Sequence, residues 1–489
     1  MQLFFLNGFS FVNEGTATID NAFSGLFLYN GEKNSLINEA TGDFNLVIKN
    51  AGLLFQNQID SEIINFGNMS IDAGGDGIGF SDGENNIINN MSTGIFNIKA
   101  GDNAINISGI NGFSFTNEGT ATIEADGVGI YARALTSKGG GVINNMLTGN
   151  LYIAGDEAGM LFTKQNSIEI NNYGKTTIQT DQNGAGISFI NGENNVINNM
   201  STGEFNIKGF SYSGILFKDI TDSEFNNYGS AALQGSNYAI WLNKGENNVI
   251  NNMSTGSFDI ESSFGYAIAF NETTNSEFNN YGVADFDVHY SGAGFVGGKN
   301  NVINNMSSGA INITSNIISN DTYGIRFNGE AASKLNNDGN ISINDASIGL
   351  FFTNSYDNII NNMSSGIFDI KVGDSGIYFL RGANNIINNE ATGVLDIKAS
   401  GDGIYFNRTT GGAFNNYGIT SIESDVFGMR SFEGANNIVN NEATGILDIK
   451  AGKSGIIAYD TIGSRVYNYV TLPTRCFLTV SSFSRGRII

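Results

Sequence analysis

The sequence predicts an all-β protein: a right-handed parallel β-helix (a solenoid) of about 17 coils, with roughly 25–30 residues per coil. Three observations predict this fold. A glycine turn recurs at that period, an asparagine stands at a fixed place before each turn, and apolar and polar residues alternate on both sides of it. Self-similarity at such a period is typical of solenoids, whose coils bury apolar side chains only by stacking on one another. Crossover chirality favours the right-handed winding.

The glycine turn occurs in two phrases that alternate along most of the chain, so that the larger repeat is a pair of coils. The longer phrase is Asn-Asn-(Val/Ile)-Ile-Asn-Asn-Met-Ser-(Thr/Ser)-Gly, and it ends at Gly94, Gly203, Gly256, Gly309 and Gly366. The shorter phrase is Phe-Asn-Asn-Tyr-Gly, and it ends at Gly229, Gly282 and Gly418. Variants of the two phrases supply the remaining turns.

Each coil contains three segments with strand-like alternation. The first places an apolar residue two positions before the asparagine, which puts both side chains on one face of a strand. The second follows the glycine, as in Phe368-Asp369-Ile370-Lys371. The third opens with a small residue and then an apolar one, as in Gly376-Ile377, and every coil has Gly or Ala at that position.

The recurring asparagine is predicted to point inward and to form a structural ladder. A buried amide without a partner costs about 1–3 kcal/mol, whereas stacked amides can donate to and accept from their neighbours. The row includes Asn90, Asn145, Asn199, Asn252, Asn305, Asn362, Asn389 and Asn441. A buried row is not a ligand site, so binding residues are expected on the outward positions beside it.

Charge and composition exclude several classes of partner. The formal charge of −23 disfavours nucleic acid and anionic membrane surfaces, and no apolar run is long enough to predict a membrane-spanning helix. The N-terminus lacks the features of a signal peptide, so a chain exported to a bacterial surface is expected to be a fragment. Cys476 is the single cysteine and allows no internal disulfide.

Enzymatic and metal-binding constellations are not apparent, and the sequence predicts neither catalytic residues nor a metal or other cofactor. His289 is the single histidine, and no nucleophile motif accompanies it. Asp76, Asp126, Asp374 and Asp402 stand in glycine-rich turns that resemble calcium loops only superficially, and we interpret them as turn residues.

The candidate ligand-binding residues are four tyrosines, each directly after a ladder asparagine. They are expected to face solvent beside the turn, where a row of aromatic rings could stack on sugar rings, and they are Tyr173, Tyr228, Tyr281 and Tyr417. The alternative is a packing ridge in which the rings cover neighbouring methionines such as Met200 and Met253. The charged outward residues of the second segment, such as Asp369 and Lys371, are typical of a solvated face.

Two coils carry a resemblance to known surface proteins. Phe11-Val-Asn13-Glu-Gly15-Thr-Ala-Thr-Ile19 and Phe115-Thr-Asn117-Glu-Gly119-Thr-Ala-Thr-Ile123 resemble coils of bacterial autotransporter passenger domains, and the pattern is similar to filamentous-haemagglutinin-like adhesins. The resemblance implies a β-helix exposed at a bacterial surface or secreted, often in adhesion. It transfers no functional residue.

The predicted organisation is a single β-helix over residues 1–469, followed by an atypical tail at 470–489. We interpret the tail as a truncated or frameshifted end, and a genuine small cap is the alternative. The leading functional hypothesis is a non-catalytic, adhesin-like binding protein whose partners are glycans or host-surface proteins, without direct membrane insertion. Two alternatives stay open at this point. One is a carbohydrate-active β-helix (a polysaccharide lyase, a hydrolase or a tailspike-like depolymerase), and the other is a purely structural stalk.

Overall fold

A computed structural model describes residues 2–4, 6–109, 111–135, 139–180, 184–315 and 321–469, together with the backbone of Arg487–Ile488. The chain divides into two compact units, Met1–Trp241 and Leu242–Ile489. Apart from that two-residue strand, the predicted tail at 470–489 lies outside the described residues.

The described residues form only strands, turns and irregular segments, with three strands in each coil. First strands end at the recurring asparagine. In the first unit they are Ser10–Asn13, Ser35–Asn38, Glu62–Asn65, Glu84–Asn90, Asn111–Asn117, Gly141–Asn145, Ile168–Asn172, Val196–Asn199 and Glu224–Asn227. In the second unit they are Val249–Asn252, Glu277–Asn280, Val302–Asn305, Lys334–Asn337, Ile359–Asn362, Ile386–Asn389, Ala413–Asn416, Ile438–Asn441 and Arg465–Asn468.

Second strands follow the glycine turn. In the first unit they are Thr16–Ala22, Asp43–Ile48, Asn68–Ala73, Ile95–Ala100, Thr120–Ala125, Asn150–Gly155, Lys175–Thr180, Glu204–Gly209 and Ser230–Gly235. In the second unit they are Ser257–Ser262, Val283–Val288, Ala310–Ser315, Asn340–Asn344, Ile367–Val372, Val394–Ala399, Ile419–Ser424 and Ile446–Ala451. These seventeen strands correspond to the predicted coils.

Third strands complete the coils. In the first unit they are Gln2–Phe4, Leu26–Glu32, Leu53–Ile59, Ile78–Ser81, Ile105–Ser108, Val128–Arg133, Ala158–Thr163, Ile187–Glu193 and Ser213–Thr221, and Tyr238–Glu246 includes the boundary residue Trp241. In the second unit they are Tyr266–Thr274, Ser291–Val296, Tyr323–Asn328, Ile348–Tyr356, Ile377–Ala383, Ile404–Thr410, Phe427–Phe432 and Ser454–Tyr459.

Equivalent strands of successive coils pair in parallel and in constant register. In the first unit Phe205 aligns with Ala231, and in the second unit Phe368 aligns with Leu395. This pairing confirms the prediction of an all-β parallel β-solenoid of about seventeen turns. The handedness of the winding stays a prediction.

Stacked apolar side chains fill the interior. In the first unit Phe162, Phe189 and Phe217 stack with ring centroids 4.9 and 5.6 Å apart. In the second unit a longer stack runs between coils at centroid distances of 4.6–5.0 Å, through Phe270, Phe295, Phe327, Phe352, Phe379 and Phe406. The inward positions are thereby used by packing, and chemistry is left to the outward ones.

A second buried polar row lies at the turn between the third strand and the next first strand. Asn301 accepts the backbone N–H of Ser276 at 3.0 Å, and Asn358 accepts that of Ser333 at 2.9 Å. The side chain of Ser333 in turn accepts the backbone N–H of Asn301 at 2.9 Å. These residues are almost fully buried. Their side-chain oxygens accept hydrogen bonds from turn N–H groups that the backbone pairing between parallel strands leaves unpaired. This row was not predicted from the sequence.

Candidate functional site

An outward row of third-strand side chains in the second unit is rich in aromatic rings and arginine. Strand register places Arg326 beside Phe351, Phe351 beside Tyr378, Tyr378 beside Tyr405, and Tyr405 beside Arg430. We call these five residues the aromatic stripe. Four strand spacings separate its ends, so its length is ~19 Å.

The same register position in the first unit has a different composition. There the paired positions contain mostly aliphatic, small or polar side chains and no arginine, namely Phe27, Leu54, Gly79, Asn106, Tyr131, Leu161, Ser188 and Leu216. Trp241, the last residue of the unit, follows the small-apolar pair of its own coil. The two units share the backbone repeat, yet only the second presents a cation-flanked aromatic surface at this position.

Ring contacts hold the aromatic stripe together. Tyr378 and Tyr405 stack with centroids 4.8 Å apart and an interplanar angle of 3°, and Phe351 lies 5.4 Å from Tyr378. The Tyr378 and Tyr405 rings therefore cover each other's faces, whereas Phe351 is tilted by 38° against Tyr378 and is buried. The Tyr378 hydroxyl accepts a hydrogen bond from Asn407 Nδ2 at 2.9 Å.

Arg430 is the last residue of the aromatic stripe, and an acidic side chain compensates its charge. Its guanidinium lies 4.6 Å from the centre of the Tyr405 ring, and it pairs with Asp402 at 3.5 Å. Asp402 is only 6% exposed. Burial raises the pKa of the Asp402 carboxyl above its ordinary value of 3.8, although the nearby Arg430 charge acts in the opposite direction.

A second acid, Asp374, lies near Asp402 at the turn before the third strand. The pKa of Asp374 is raised because neighbouring atoms displace part of its water, even though the residue as a whole is exposed. The charge of Asp374 also contributes to the raised pKa of Asp402. Asp374 lines a groove of about 590 Å³ that also contains Lys371, Lys398 and Glu423.

The predicted asparagine ladder is confirmed. All eight predicted residues are at most 5% exposed. Each donates a side-chain N–H to the amide oxygen of the next coil at 2.8–3.1 Å, as in Asn90 to Asn117 in the first unit and Asn389 to Asn416 in the second. Most also donate to a backbone carbonyl of the following second strand, as Asn389 does to Ile419 at 2.9 Å. The same side chain thereby fixes the register between coils and provides hydrogen bonds for the buried amide and carbonyl groups around it.

The outward asparagines directly before the ladder form a ladder of their own, which the sequence analysis missed. Asn388 donates to Asn361 at 2.9 Å and accepts from Asn415 at 2.8 Å. The outer amides donate toward the preceding coil and the inner amides toward the following one, so the dipoles of the two rows oppose each other.

The four predicted ligand-binding tyrosines lie beside the glycine turn and are half-buried. Their backbone N–H groups donate to the backbone carbonyl oxygen of the ladder asparagine one coil earlier at 2.7 Å, as Tyr417 does to Asn389. Tyr173, Tyr228, Tyr281 and Tyr417 are therefore fixed by the turn, and their role in ligand binding stays a prediction. The structure does not bring them together with the aromatic stripe, which belongs to the third strands.

The remaining chemistry-bearing residues stay apart. Among the described residues no group of three His, Cys, Asp or Glu side chains could hold a metal ion. Asp76 accepts hydrogen bonds from Asn103 at 3.1 Å and Asn106 at 2.8 Å, as expected for a turn residue. His289 is half-buried, and Cys476 lies outside the described residues. No helix able to span a membrane occurs in the described ranges.

No family model and no curated protein matches the chain. Solved structures that resemble it weakly include an autotransporter-type fragment and a lyase. A hyper-glycosylated TibA fragment, produced by TibC catalysis, is 11% identical with a TM-score of 0.25, and the match covers 77% of this chain and 94% of that one. A variant of the PL6-family alginate lyase AlyGC is 11% identical with a TM-score of 0.26, over 99% of this chain and 97% of that one. At these values neither protein's function transfers to this chain.

The signal that would have revealed the aromatic stripe is present in the sequence. Each third strand of the second unit places its outward residue directly after the small-apolar pair, as in Gly376-Ile377-Tyr378 and Gly403-Ile404-Tyr405. The residue after the pair is an arginine or carries an aromatic ring in five successive coils, whereas the flanking coils of this unit have Ala269, Gly294 and Ile457 there.

The raised pKa of Asp402 leads to a prediction about pH and stability. The folded protein binds a proton at Asp402 more tightly than the unfolded chain, so the contribution of this group to stability is present at low pH and lost as pH rises through the folded-state pKa. We therefore expect Asp402→Asn to have a higher thermal midpoint than wild type near neutral pH, and the difference to shrink on acidification toward the ordinary aspartate pKa.

Circular-dichroism melts across the acidic and neutral range test this expectation, with the exposed Asp425→Asn as the control. A lower midpoint for Asp402→Asn at neutral pH would mean that the ion pair with Arg430 outweighs the cost of burial.

Proposed function

We propose that this chain is a surface-displayed or secreted β-helical binding protein, adhesin-like and non-catalytic, that holds a polysaccharide against the aromatic stripe. The observation that supports this proposal is the outward run of Arg326, Phe351, Tyr378, Tyr405 and Arg430 on five successive coils. The bacterial surface setting rests on the resemblance of the coil sequences to autotransporter passengers.

The physical reason is that outward sheet positions are normally solvated, whereas this row combines apolar ring area with fixed donors. Phe351 is buried and supports the row from beneath, whereas its tyrosines and arginines are half-buried and reach the surface. Tyrosine and arginine are the residue types enriched where binding energy is concentrated. Because the rings stack on each other, a ligand would contact their edges and hydroxyl groups, which suits a chain of sugar C–H and hydroxyl groups lying along the stripe.

A test compares the aromatic stripe with the predicted tyrosine row. We expect Tyr405→Ala to weaken binding of the full chain to its glycan ligands on an array by roughly tenfold. Tyr417→Ala is the matched control, because Tyr417 lies twelve residues away on the turn beside the ladder.

The possible results separate the hypotheses. Loss of binding in Tyr417→Ala with retention in Tyr405→Ala would move the site to the tyrosine row. Absence of glycan binding by the wild-type chain would favour a structural stalk.

A carbohydrate-active enzyme is the second candidate, and one specific observation favours it. Burial raises the pKa of both Asp374 and Asp402, and the charge of Asp374 raises that of Asp402 further, as is found for carboxyl groups that serve as general acids. Release of oligosaccharides from a polysaccharide by wild type, and its loss in Asp374→Asn and Asp402→Asn, would establish catalysis. Binding without any product would support the non-catalytic function.

A further inference from the structure

Arg326, at one end of the aromatic stripe, is a half-buried cation without an acidic partner. Its Nη1 group donates to the hydroxyl of Tyr266 at 3.2 Å and to the hydroxyl of Tyr290. Its Nε–H is enclosed and meets no acceptor. Among the described residues no Asp or Glu pairs with it.

Aromatic rings surround this guanidinium without neutralising it. Its central carbon lies 5.2 Å from the ring centre of Tyr323, 5.5 Å from that of Tyr290 and 5.9 Å from that of Phe351. Burial raises the pKa of Tyr323 to about 12 and also raises that of Tyr266, so both phenols stay neutral at physiological pH. Asp321 accepts a hydrogen bond from the Tyr323 hydroxyl at 3.4 Å instead of pairing with Arg326.

The two arginines of the stripe therefore differ in whether a nearby acid compensates their charge. Arg430 is balanced by Asp402, and the exposed Arg408 outside the stripe is balanced by Glu433 at 2.6 Å. Arg326 keeps its positive charge on a protein whose formal charge is −23. The enclosed Nε–H is out of reach of a ligand, whereas Nη2 is not enclosed and has no hydrogen-bond partner among the described residues. A charged oxygen acceptor is the partner that a guanidinium binds most strongly.

We propose, resting on the proposed function, that Arg326 and the hydroxyls beside it form a subsite for one anionic group of an acidic polysaccharide held along the aromatic stripe. The group is a carboxylate or a sulfate ester, since both offer planar or clustered oxygen acceptors to the guanidinium.

The experiment measures binding of the full chain to three probes by calorimetry: polygalacturonate, chondroitin sulfate and a neutral cello-oligosaccharide. Wild type is expected to prefer an acidic probe, with an affinity that falls as salt rises. Arg326→Gln is expected to lose about tenfold or more of that affinity and most of its salt dependence. Arg326→Lys is expected to retain part of both, because it keeps the charge without the fork. Arg408→Gln is the matched control and should bind as wild type does.

Each result bears on one proposal. Polygalacturonate carries carboxylates only, whereas chondroitin sulfate carries carboxylates and sulfate esters. Equal or tighter binding of polygalacturonate therefore indicates a carboxylate, and a sulfate ester is indicated when chondroitin sulfate binds more tightly and loses that advantage on desulfation. Equal affinity for neutral and acidic probes, or an Arg326→Gln variant that binds acidic probes as wild type does, overturns the anionic subsite while leaving polysaccharide binding intact. Absence of binding to all three probes overturns both proposals. A shift of the wild-type melting temperature by each probe gives the same comparison without any variant that must fold.

Discussion

Replacing Asn389 by leucine is expected to lower the free energy of unfolding by about 3 kcal/mol, because it removes an amide that is bonded on both sides within the buried ladder. Asn389 accepts from Asn362 at 2.8 Å and donates to Asn416 at 2.9 Å, to the Ile419 carbonyl at 2.9 Å and to the Thr420 hydroxyl at 3.1 Å. The residue is fully buried, so water cannot replace these partners. Leucine has a similar size but leaves several buried polar groups unsatisfied.

The neighbouring outer asparagine provides the matched control. Asn388→Leu breaks two ladder hydrogen bonds, but its half-buried position lets water take their place, and we expect a loss below about 1 kcal/mol. Urea unfolding followed by circular dichroism measures both variants, and hydrogen exchange shows whether the loss concentrates in the adjacent coils, as nearest-neighbour stacking requires. Equal losses in the two variants would contradict the stabilising role assigned to burial.

The inner ladder could be predicted from sequence because its physical requirement is the same in every coil. Asn252 and Asn389 occupy one register position, and any residue that cannot hydrogen-bond on both sides interrupts the row. A requirement that is the same in every coil appears in the sequence as the same residue type at the same position of each repeat. The same reasoning identified the glycine turns and the three-strand coil.

The candidate site could not be found in this way because its residues differ from coil to coil. Arg326, Phe351 and Tyr378 share a register position but not a residue type, so a search for recurring residues passes over them, and the strand pairing shows that they are neighbours. The outer asparagine ladder was missed for another reason. An outward polar residue such as Asn388 is expected to be solvated, and its hydrogen bond to Asn361 depends on the coil spacing. The candidate site therefore lies at positions where the residue type differs from coil to coil, and such positions do not stand out when the coils are compared for what they share.

The small residue that opens each third strand is the other feature that every coil shares, and the structure gives its reason. A Cβ atom at Gly376 would lie 2.3 Å from Ile397 Cγ2 and 2.6 Å from the Gly403 carbonyl oxygen. The backbone of one coil thus approaches both the isoleucine and the backbone of the next. We expect Gly376→Val to lower the free energy of unfolding by about 3 kcal/mol, at the upper end of overpacking costs, because a backbone atom cannot move aside without shifting the strand register.

Gly373 tests whether this cost comes from the close approach or from the loss of a glycine. A Cβ at Gly373 would meet only the Ala346 carbonyl oxygen, at 3.8 Å. Gly373→Val should therefore have nearly wild-type stability in the same urea titration, and a comparable loss in both variants would contradict the packing explanation. Because Tyr378 follows Gly376 by two residues, a shift of this strand should also disturb its stacking on Tyr405. Gly376→Val is therefore expected to weaken glycan binding as well as stability, whereas Gly373→Val should change neither.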